Sequence, residues 1–312
     1  MQGPQNIQNH HPGSLFNMRI MDLEMLLWNE EKEFEKTQKV MFASMISRSD
    51  MIVSMSDHYI KLDITKIPPK VKFKSEHLEG DKHEGPVIFC QSYKGRDVLF
   101  RDGMPLTVST KDGLKKAGRQ ANRGHILGDR IWWLEKDGSL NTAAMSNLDH
   151  VDMLQADVVD FTVDLGNSVI SVTRTGLVSN IGKKSSLQLQ GKGIYSKISK
   201  KDTWIVVCRS TAGGEHLVLL GLDLVPRDEL DLSHLGKISS LHALNIDGHE
   251  YVLCCAGGKL LLCLVSGYVL RDIQTVTGKD VRFISLSVND EFEGIALTEH
   301  GGLWRFKLNS GR

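Results

Sequence analysis

Tyr251-Val252-Leu253-Cys254-Cys255-Ala256-Gly257-Gly258-Lys259-Leu260-Leu261-Leu262-Cys263-Leu264-Val265-Ser266-Gly267-Tyr268-Val269-Leu270 admits two readings, and choosing between them decides the fold. As one uninterrupted segment it has the length of a membrane-spanning helix. Its centre, however, is Gly257-Gly258-Lys259. A lysine between turn residues is costly at the middle of a bilayer, whereas a glycine pair between two apolar runs is a hairpin turn. The hairpin reading prevails, and no membrane span is expected.

The same arrangement recurs along the chain. A turn signal separates two β-rich runs at Ser56-Asp57-His58, Lys94-Gly95, Asp137-Gly138, Thr175-Gly176, Gly213-Gly214, Gly257-Gly258 and Gly301-Gly302. Measured from Asp57 and then from the second residue of each pair, the intervals are 38, 43, 38, 38, 44 and 44 residues. Most repeats carry a further β-rich stretch upstream, such as Val40 to Ile46, Val158 to Val163, Leu241 to Ile246 and Val281 to Val288. Three or four short strands at a period of about 40–45 residues are the mark of a propeller blade. A lone blade leaves its faces and edges bare, and stacking blades in a closed ring covers both. The expected fold is therefore all-β: a seven-bladed β-propeller of four-stranded antiparallel blades over residues 37–310. Val40 to Ile46 either pairs with the final blade or starts its own.

By this period, and by segments such as Ile295-Ala296-Leu297-Thr298-Glu299-His300-Gly301-Gly302-Leu303-Trp304, the chain resembles the WD-repeat β-propeller superfamily. No repeat holds a clean Gly-His and Trp-Asp pair, and the nearest terminal signal is Leu303-Trp304-Arg305. Chromosome-condensation-regulator-type propellers are the structural rival, with blades that are longer and richer in glycine. The resemblance implies an architecture and says little about activity, because propellers host many functions.

Residues 1–36 stand apart as an N-terminal extension. Residues 1–14 are rich in Gln, Asn, His, Pro and Gly and read as disordered. From Arg19 to Lys39 helix formers dominate, and Ile20, Leu23, Leu26, Leu27 and Phe34 fall roughly on one helical face. A short helix is expected here, docked either on the propeller or on a partner.

Composition excludes several classes. Lys and Arg number 38 and Asp and Glu 38, so no overall field marks a globally basic nucleic-acid binder or an acidic tail protein. The five cysteines, Cys90, Cys208, Cys254, Cys255 and Cys263, are odd in number, and Cys254 and Cys255 point to opposite faces of a strand. They read as reduced core thiols. With no Asn-x-Ser/Thr acceptor and no signal-peptide pattern at the start, a cytoplasmic or nuclear, reducing compartment is expected.

Catalytic motifs are missing. Neither Gly-x-Ser-x-Gly nor His-Glu-x-x-His occurs. Gly176 to Ser185 imitates a phosphate loop, but it has five residues between its glycines, Lys184 where Ser or Thr should follow the lysine, and a strand where a helix must start. The twelve histidines are scattered, and Asp149-His150-Val151-Asp152, the tightest cluster, lacks the convergent ligands a metal needs. No cofactor or metal is expected.

Local charge says more. Leu165 to Lys201 holds no acid, and its positive charges include Lys183 and Lys184. Gly113 to Gly128 likewise holds none and reads as a mobile loop bearing Lys115, Lys116, Arg119 and Arg123. These six residues are candidates for binding an acidic partner or phosphate. Trp132 and Trp133 face opposite ways on a strand, which makes one of them a candidate interface anchor. Three functional readings follow. The leading one is a non-catalytic interaction scaffold, a subunit of a cytoplasmic or nuclear complex with other protein subunits as partners. The others are a nucleic-acid or chromatin-associated propeller using the basic loops of blades two to five, and a propeller enzyme with its site at the central channel.

Overall fold

A computed structural model describes residues 7–8, 18–25, 40–47, 49–55, 59–66, 69–74, 87–94, 96–101, 105–110, 113–164, 166, 168–201, 203–277, 281–289 and 293–310. Every helix-or-strand element among them is a strand. The N-terminal segment supplies β1 (Ile7–Gln8) and β2 (Met18–Met25). A four-stranded meander follows in β3 (Phe42–Met45), β4 (Asp50–Ser54), β5 (Tyr59–Asp63) and β6 (Lys70–Lys74). Next come β7 (Val87–Tyr93), β8 (Arg96–Arg101), β9 (Pro105–Thr110), β10 (Gly113–Leu127), β11 (Arg130–Glu135), β12 (Leu140–Ala144) and β13 (Asn147–Gln155), which form one seven-stranded sheet.

Two four-stranded meanders succeed it. One is β14 (Val158–Val163), β15 (Val169–Thr173), β16 (Leu177–Asn180) and β17 (Ser185–Gln188); the other is β18 (Ile194–Lys201), β19 (Trp204–Thr211), β20 (Gly214–Gly221) and β21 (Pro226–Asp231). In the fifth sheet, β22 (Ile238–Ile246), β23 (His249–Ala256), β24 (Lys259–Ser266) and β25 (Val269–Val276) run in order, and β1 adds along the far edge of β25. The last sheet joins β26 (Phe283–Val288), β27 (Glu293–Thr298) and β28 (Leu303–Ser310) to β2, which lies beside β28.

The opening stretch is a hairpin, as its glycines require. β23 and β24 pair antiparallel, with Leu253 opposite Leu262 and Ala256 opposite Lys259. Gly257 and Gly258 turn the chain with φ of 56° and 88°, a region that residues with a Cβ avoid. Tyr251 to Ala256 and Leu260 to Val265 are buried throughout. Such continuous apolar runs belong to inner strands covered on both faces.

Two expectations are corrected. The glycine period predicts seven separate blades, whereas the described residues form six sheets. The difference lies in Gly113 to Gly128, read as a mobile loop, of which Gly113–Leu127 is found as the fifteen-residue strand β10. Its first part pairs with β9 and its second part with β11, with register irregularities at Ala117/Gln120 and Ala121/Arg123. No proline or turn pair interrupts this stretch, so the repeats marked by Gly95 and Gly138 share a strand instead of separating. The expected N-terminal helix is also replaced, by strand β2. Met18 and Ile20 are buried and Arg19 exposed, a strand alternation. At Asp22 the backbone turns left-handed (φ 52°), which resets the alternation so that Leu23 is buried too. The three-residue spacing of Ile20 and Leu23, taken as helical, is that of an interrupted strand. Leu26, Leu27 and Phe34 lie outside the described residues. Val40 to Ile46, for its part, begins its own sheet through β3.

The chain divides into two compact units. Unit 1 is residues 1–21, 157–285 and 308–312, and unit 2 is residues 22–156 and 286–307. In unit 1 one core gathers Trp204, Val206, Cys208, Leu217, Leu219, Val252, Cys254, Leu261 and Cys263 between two sheets. In unit 2, Met51, Val53, Ile60 and Leu62 pack with Ile295, Leu297 and Leu303.

Sheets within each unit are also stapled by polar side chains. The first strand of a meander is an edge, so its outward amides lack a ladder partner. In unit 1 the buried Asp160 carboxylate accepts the Ile198 N–H at 2.9 Å, and Ser199 Oγ accepts that of Ala243 at 2.9 Å. In unit 2, Ser287 Oγ accepts the Met45 N–H at 3.2 Å and Gln91 Oε1 that of Ile126 at 2.7 Å. The first three join the edge strand of one sheet to that of another, while Gln91 ties β7 to β10 within the seven-stranded sheet.

His125, on β10 opposite Trp132, supplies a test of this packing. Burial, with a smaller contribution from Arg123, pushes its imidazole down to about 4. Above pH 6.5 the ring is neutral folded or unfolded, and no stability depends on it. Between pH 6.5 and 4 the unfolded chain takes up a proton that the folded chain refuses, so stability falls as pH falls. We expect the wild type to lose on the order of 1–2 kcal/mol more than His125→Gln between pH 7 and pH 5, measured by urea unfolding. Equal losses in the two proteins would show that His125 is not held neutral.

Candidate partner-binding site

The feature best suited to contact another molecule is built in unit 1 from two neighbouring hairpin tips. Between β24 and β25, Gly267 and Tyr268 form a two-residue turn with φ of 56° and 64°. Glycine accepts this geometry freely; a tyrosine there is strained by roughly 1–2 kcal/mol. The tyrosine ring is not used to fill the core, because Tyr268 is 42% exposed. Between β20 and β21 the chain turns through Leu224, also left-handed at φ 67° but buried, which leaves Val225 outside at 44% exposure.

Side chains fix the two tips to each other. Asp228 Oδ2 accepts the Leu270 N–H at 2.7 Å. The Arg227 guanidinium lies 5.4 Å from the centre of the Tyr268 ring and is held by Asp223 at 2.5 Å. Asp223 Oδ1 also accepts the Val225 N–H at 3.1 Å. Val269, the next residue in the chain, is 41% exposed. The result is an aromatic ring against a cation, with two exposed valines on the same pair of tips. Tyrosine and arginine dominate the energetics of protein interfaces, and a preformed arrangement lowers the entropic cost of docking.

The residues singled out from sequence are placed as follows. Lys183 and Lys184 are exposed on the turn between β16 and β17, in unit 1. Arg123 is half-buried on β10 in unit 2. Lys115, Lys116 and Arg119 are on the β10 backbone, but their side chains lie outside the described residues. Neither unit brings both basic stretches together, and within the Leu165–Lys201 stretch Lys200 is engaged by Asp164 at 2.8 Å. Trp132 and Trp133 are both buried, and the Trp133 indole N–H donates to Glu135 Oε1 at 3.2 Å.

A polar chain at the start of β20 has the spacing of a nucleophile, base and acid. Thr211 Oγ1 is 3.3 Å from His216 Nε2, and His216 Nδ1 is 2.9 Å from Glu229 Oε1. Its bonds are committed to the hairpin, however. The Thr211 hydroxyl donates to Gly214 O and accepts the Gly213 N–H, each at 3.1 Å, while Arg209 holds Glu229. Among the described residues no three His, Cys, Asp or Glu side chains gather to hold a metal. Cys208, Cys254, Cys255 and Cys263 are unpaired and buried, and burial pushes the Cys255 thiol up to about 12, far from the thiolate needed for reactivity. No described helix is long and apolar enough to cross a membrane.

Sequence reasoning overlooked Tyr268 and Arg227. The available signal was Ser266-Gly267-Tyr268-Val269, an aromatic residue at a turn position that ordinarily takes Asn or Gly.

No family model and no curated protein matches the chain. Solved structures do. The WD40 β-propeller domain of Doa1 superposes with a TM-score of 0.66 at 9% identity, covering 92% of this chain and 97% of that one. The β-propeller domain of Myceliophteria thermophila Cps50 (Swd1) gives 0.65 at 9% identity, over 87% and 100%. A chain of a mitotic checkpoint complex gives 0.69 at 8% identity, over 98% and 96%. At such identities the likeness establishes the fold, a β-propeller, and nothing further.

Proposed function

We propose that this chain is a non-catalytic protein-interaction scaffold, a propeller subunit of a larger assembly, and that the paired tips around Tyr268 and Arg227 contact a protein partner. The observation that carries the reading is an exposed tyrosine kept in a strained turn, with its ring against Arg227 and with Val225 and Val269 exposed on the same two hairpin tips. Strain retained at a surface position needs a use, and binding supplies one. The similar chain found in a mitotic checkpoint complex shows that this fold serves in assemblies of that kind. Unpaired buried thiols favour a reducing compartment, cytoplasmic or nuclear. The nucleic-acid reading gains no support from the described basic residues, which are split between the units.

Tyr268→Gly tests the proposal cleanly because fold and function should respond in opposite directions. Glycine relieves the left-handed strain, so stability should stay level or rise by about 1 kcal/mol. Removing the ring should weaken a partner that copurifies stoichiometrically with the wild type by roughly 10- to 100-fold. Undiminished partner recovery with Tyr268→Gly would refute this contact.

A further inference from the structure

Two Lys-Lys pairs in the chain are followed by a hydroxyl three residues after the first lysine: Lys183-Lys184-Ser185-Ser186 and Lys200-Lys201-Asp202-Thr203. As sequence they share one charge pattern, of the kind that a protein kinase with an acidic substrate groove selects. The structure separates them. Lys200 is only 11% exposed and is held by Asp164 at 2.8 Å, and the Thr203 hydroxyl donates to Glu250 Oε1 at 3.0 Å. An acid, Asp202, also stands directly before Thr203. Lys183, Lys184, Ser185 and Ser186 are instead all exposed, and residues 165–201 contain no acid to compete for the lysines.

Both serines lie on β17, the end strand of its sheet and only four residues long. Among the described residues it pairs with β16 alone, and of its four side chains only Leu187 is half-buried against the core. A short strand with so little buried apolar surface opens at small cost, so residues 183–188 can enter a kinase cleft in extended form while the rest of the sheet stays folded. Successive side chains of a strand alternate, which points Ser186 away from the face on which Leu187 packs. Its cross-strand neighbour is Ser179, a small side chain that leaves room for a phosphate.

We propose that Ser186 is a phosphorylation site for a kinase that reads Lys183 and Lys184. The γ-phosphoryl group of ATP passes to Ser186 Oγ. An O–P bond forms there, the bond from the γ-phosphorus to the bridging oxygen breaks, ADP leaves with that electron pair, and the serine proton goes to the kinase's base. At pH 7 the phosphate adds about 1.5 to 2 negative charges, which offsets the two lysines and turns an exposed basic turn into a neutral one. The site does not depend on the role of Tyr268. Incubated with Mg-ATP and the catalytic subunit of cyclic-AMP-dependent protein kinase, the full chain should take up about one phosphate, placed on Ser186 by tandem mass spectrometry. Ser186→Ala should abolish the uptake and Ser185→Ala should leave it, while Lys183→Ala combined with Lys184→Ala should slow it at least about tenfold. Thr203, tied to Glu250, should stay unmodified, as should the buried Ser171, which reports that the chain is folded. No phosphate on Ser186, label on Ser185 instead, a rate indifferent to both lysines, or equal labelling of Thr203 or Ser171 would each overturn the proposal.

Discussion

Gly257→Ala is expected to cost at least about 4 kcal/mol of folding stability, among the largest effects of any single methyl group in this chain. A Cβ built at Gly257 lies 1.4 Å from the carbonyl oxygen of Leu235 and 2.6 Å from its carbon. Those are backbone atoms, anchored on one side by the bond from Gly257 N–H to Lys237 O at 2.9 Å and on the other by the bond from Leu235 N–H to Leu232 O at 2.9 Å. Neither side can rotate away as a side chain would. Part of the penalty is the left-handed backbone itself, worth roughly 1–2 kcal/mol for alanine. Gly267→Ala and Gly128→Ala isolate that part, because φ is 56° and 58° there and nothing lies within 4 Å of the added carbon. Denaturant unfolding should place both controls near 1 kcal/mol and Gly257→Ala well beyond them. Three equal losses would mean that the loop through Leu235 does not pack on this hairpin.

The second large effect is expected at Asp160. Its side chain is 2% exposed, and it accepts the amide of Ile198 from the neighbouring sheet. Truncation to alanine leaves that amide buried without an acceptor, at a cost of about 2–4 kcal/mol. Asp160→Asn keeps an acceptor oxygen at nearly the same place and should cost about 1 kcal/mol. Ser199→Ala removes a comparable staple to Ala243 that is only partly buried, where water can substitute, and should also stay near 1 kcal/mol. Hydrogen exchange gives an independent reading: the Ile198 amide should lose protection in Asp160→Ala, while amides inside the β19–β20 ladder keep theirs. If Asp160→Ala and Asp160→Asn behave alike, the staple contributes nothing.

The hairpins were legible because a turn that needs positive φ needs glycine. Gly138, Gly176, Gly214, Gly257, Gly258 and Gly301 all adopt it where the repeat placed a turn. The blade count was not legible, because the chain continues as β10 through a stretch whose glycines and lysines look like loop composition; what decides is pairing to β9 and β11, far more than local propensity. The same limit applies to β2, where spacing of Ile20 and Leu23 fits a helix until the left-handed Asp22 is known. At the site, charge is visible in sequence and exposure is not. Trp132 and Trp133 are conspicuous and buried, whereas Tyr268 matters because Asp228 and Arg227 on another hairpin hold its surroundings in place.

A photoreactive phenylalanine analogue placed at position 268 of the full chain, and at the similarly exposed Ile284 as a control, tests the scaffold reading most directly in the cell that makes the protein. The scaffold account predicts a single protein adduct in high yield from position 268 and none of it from position 284. Adducts that are the same at both positions, or no protein adduct at 268, would contradict it.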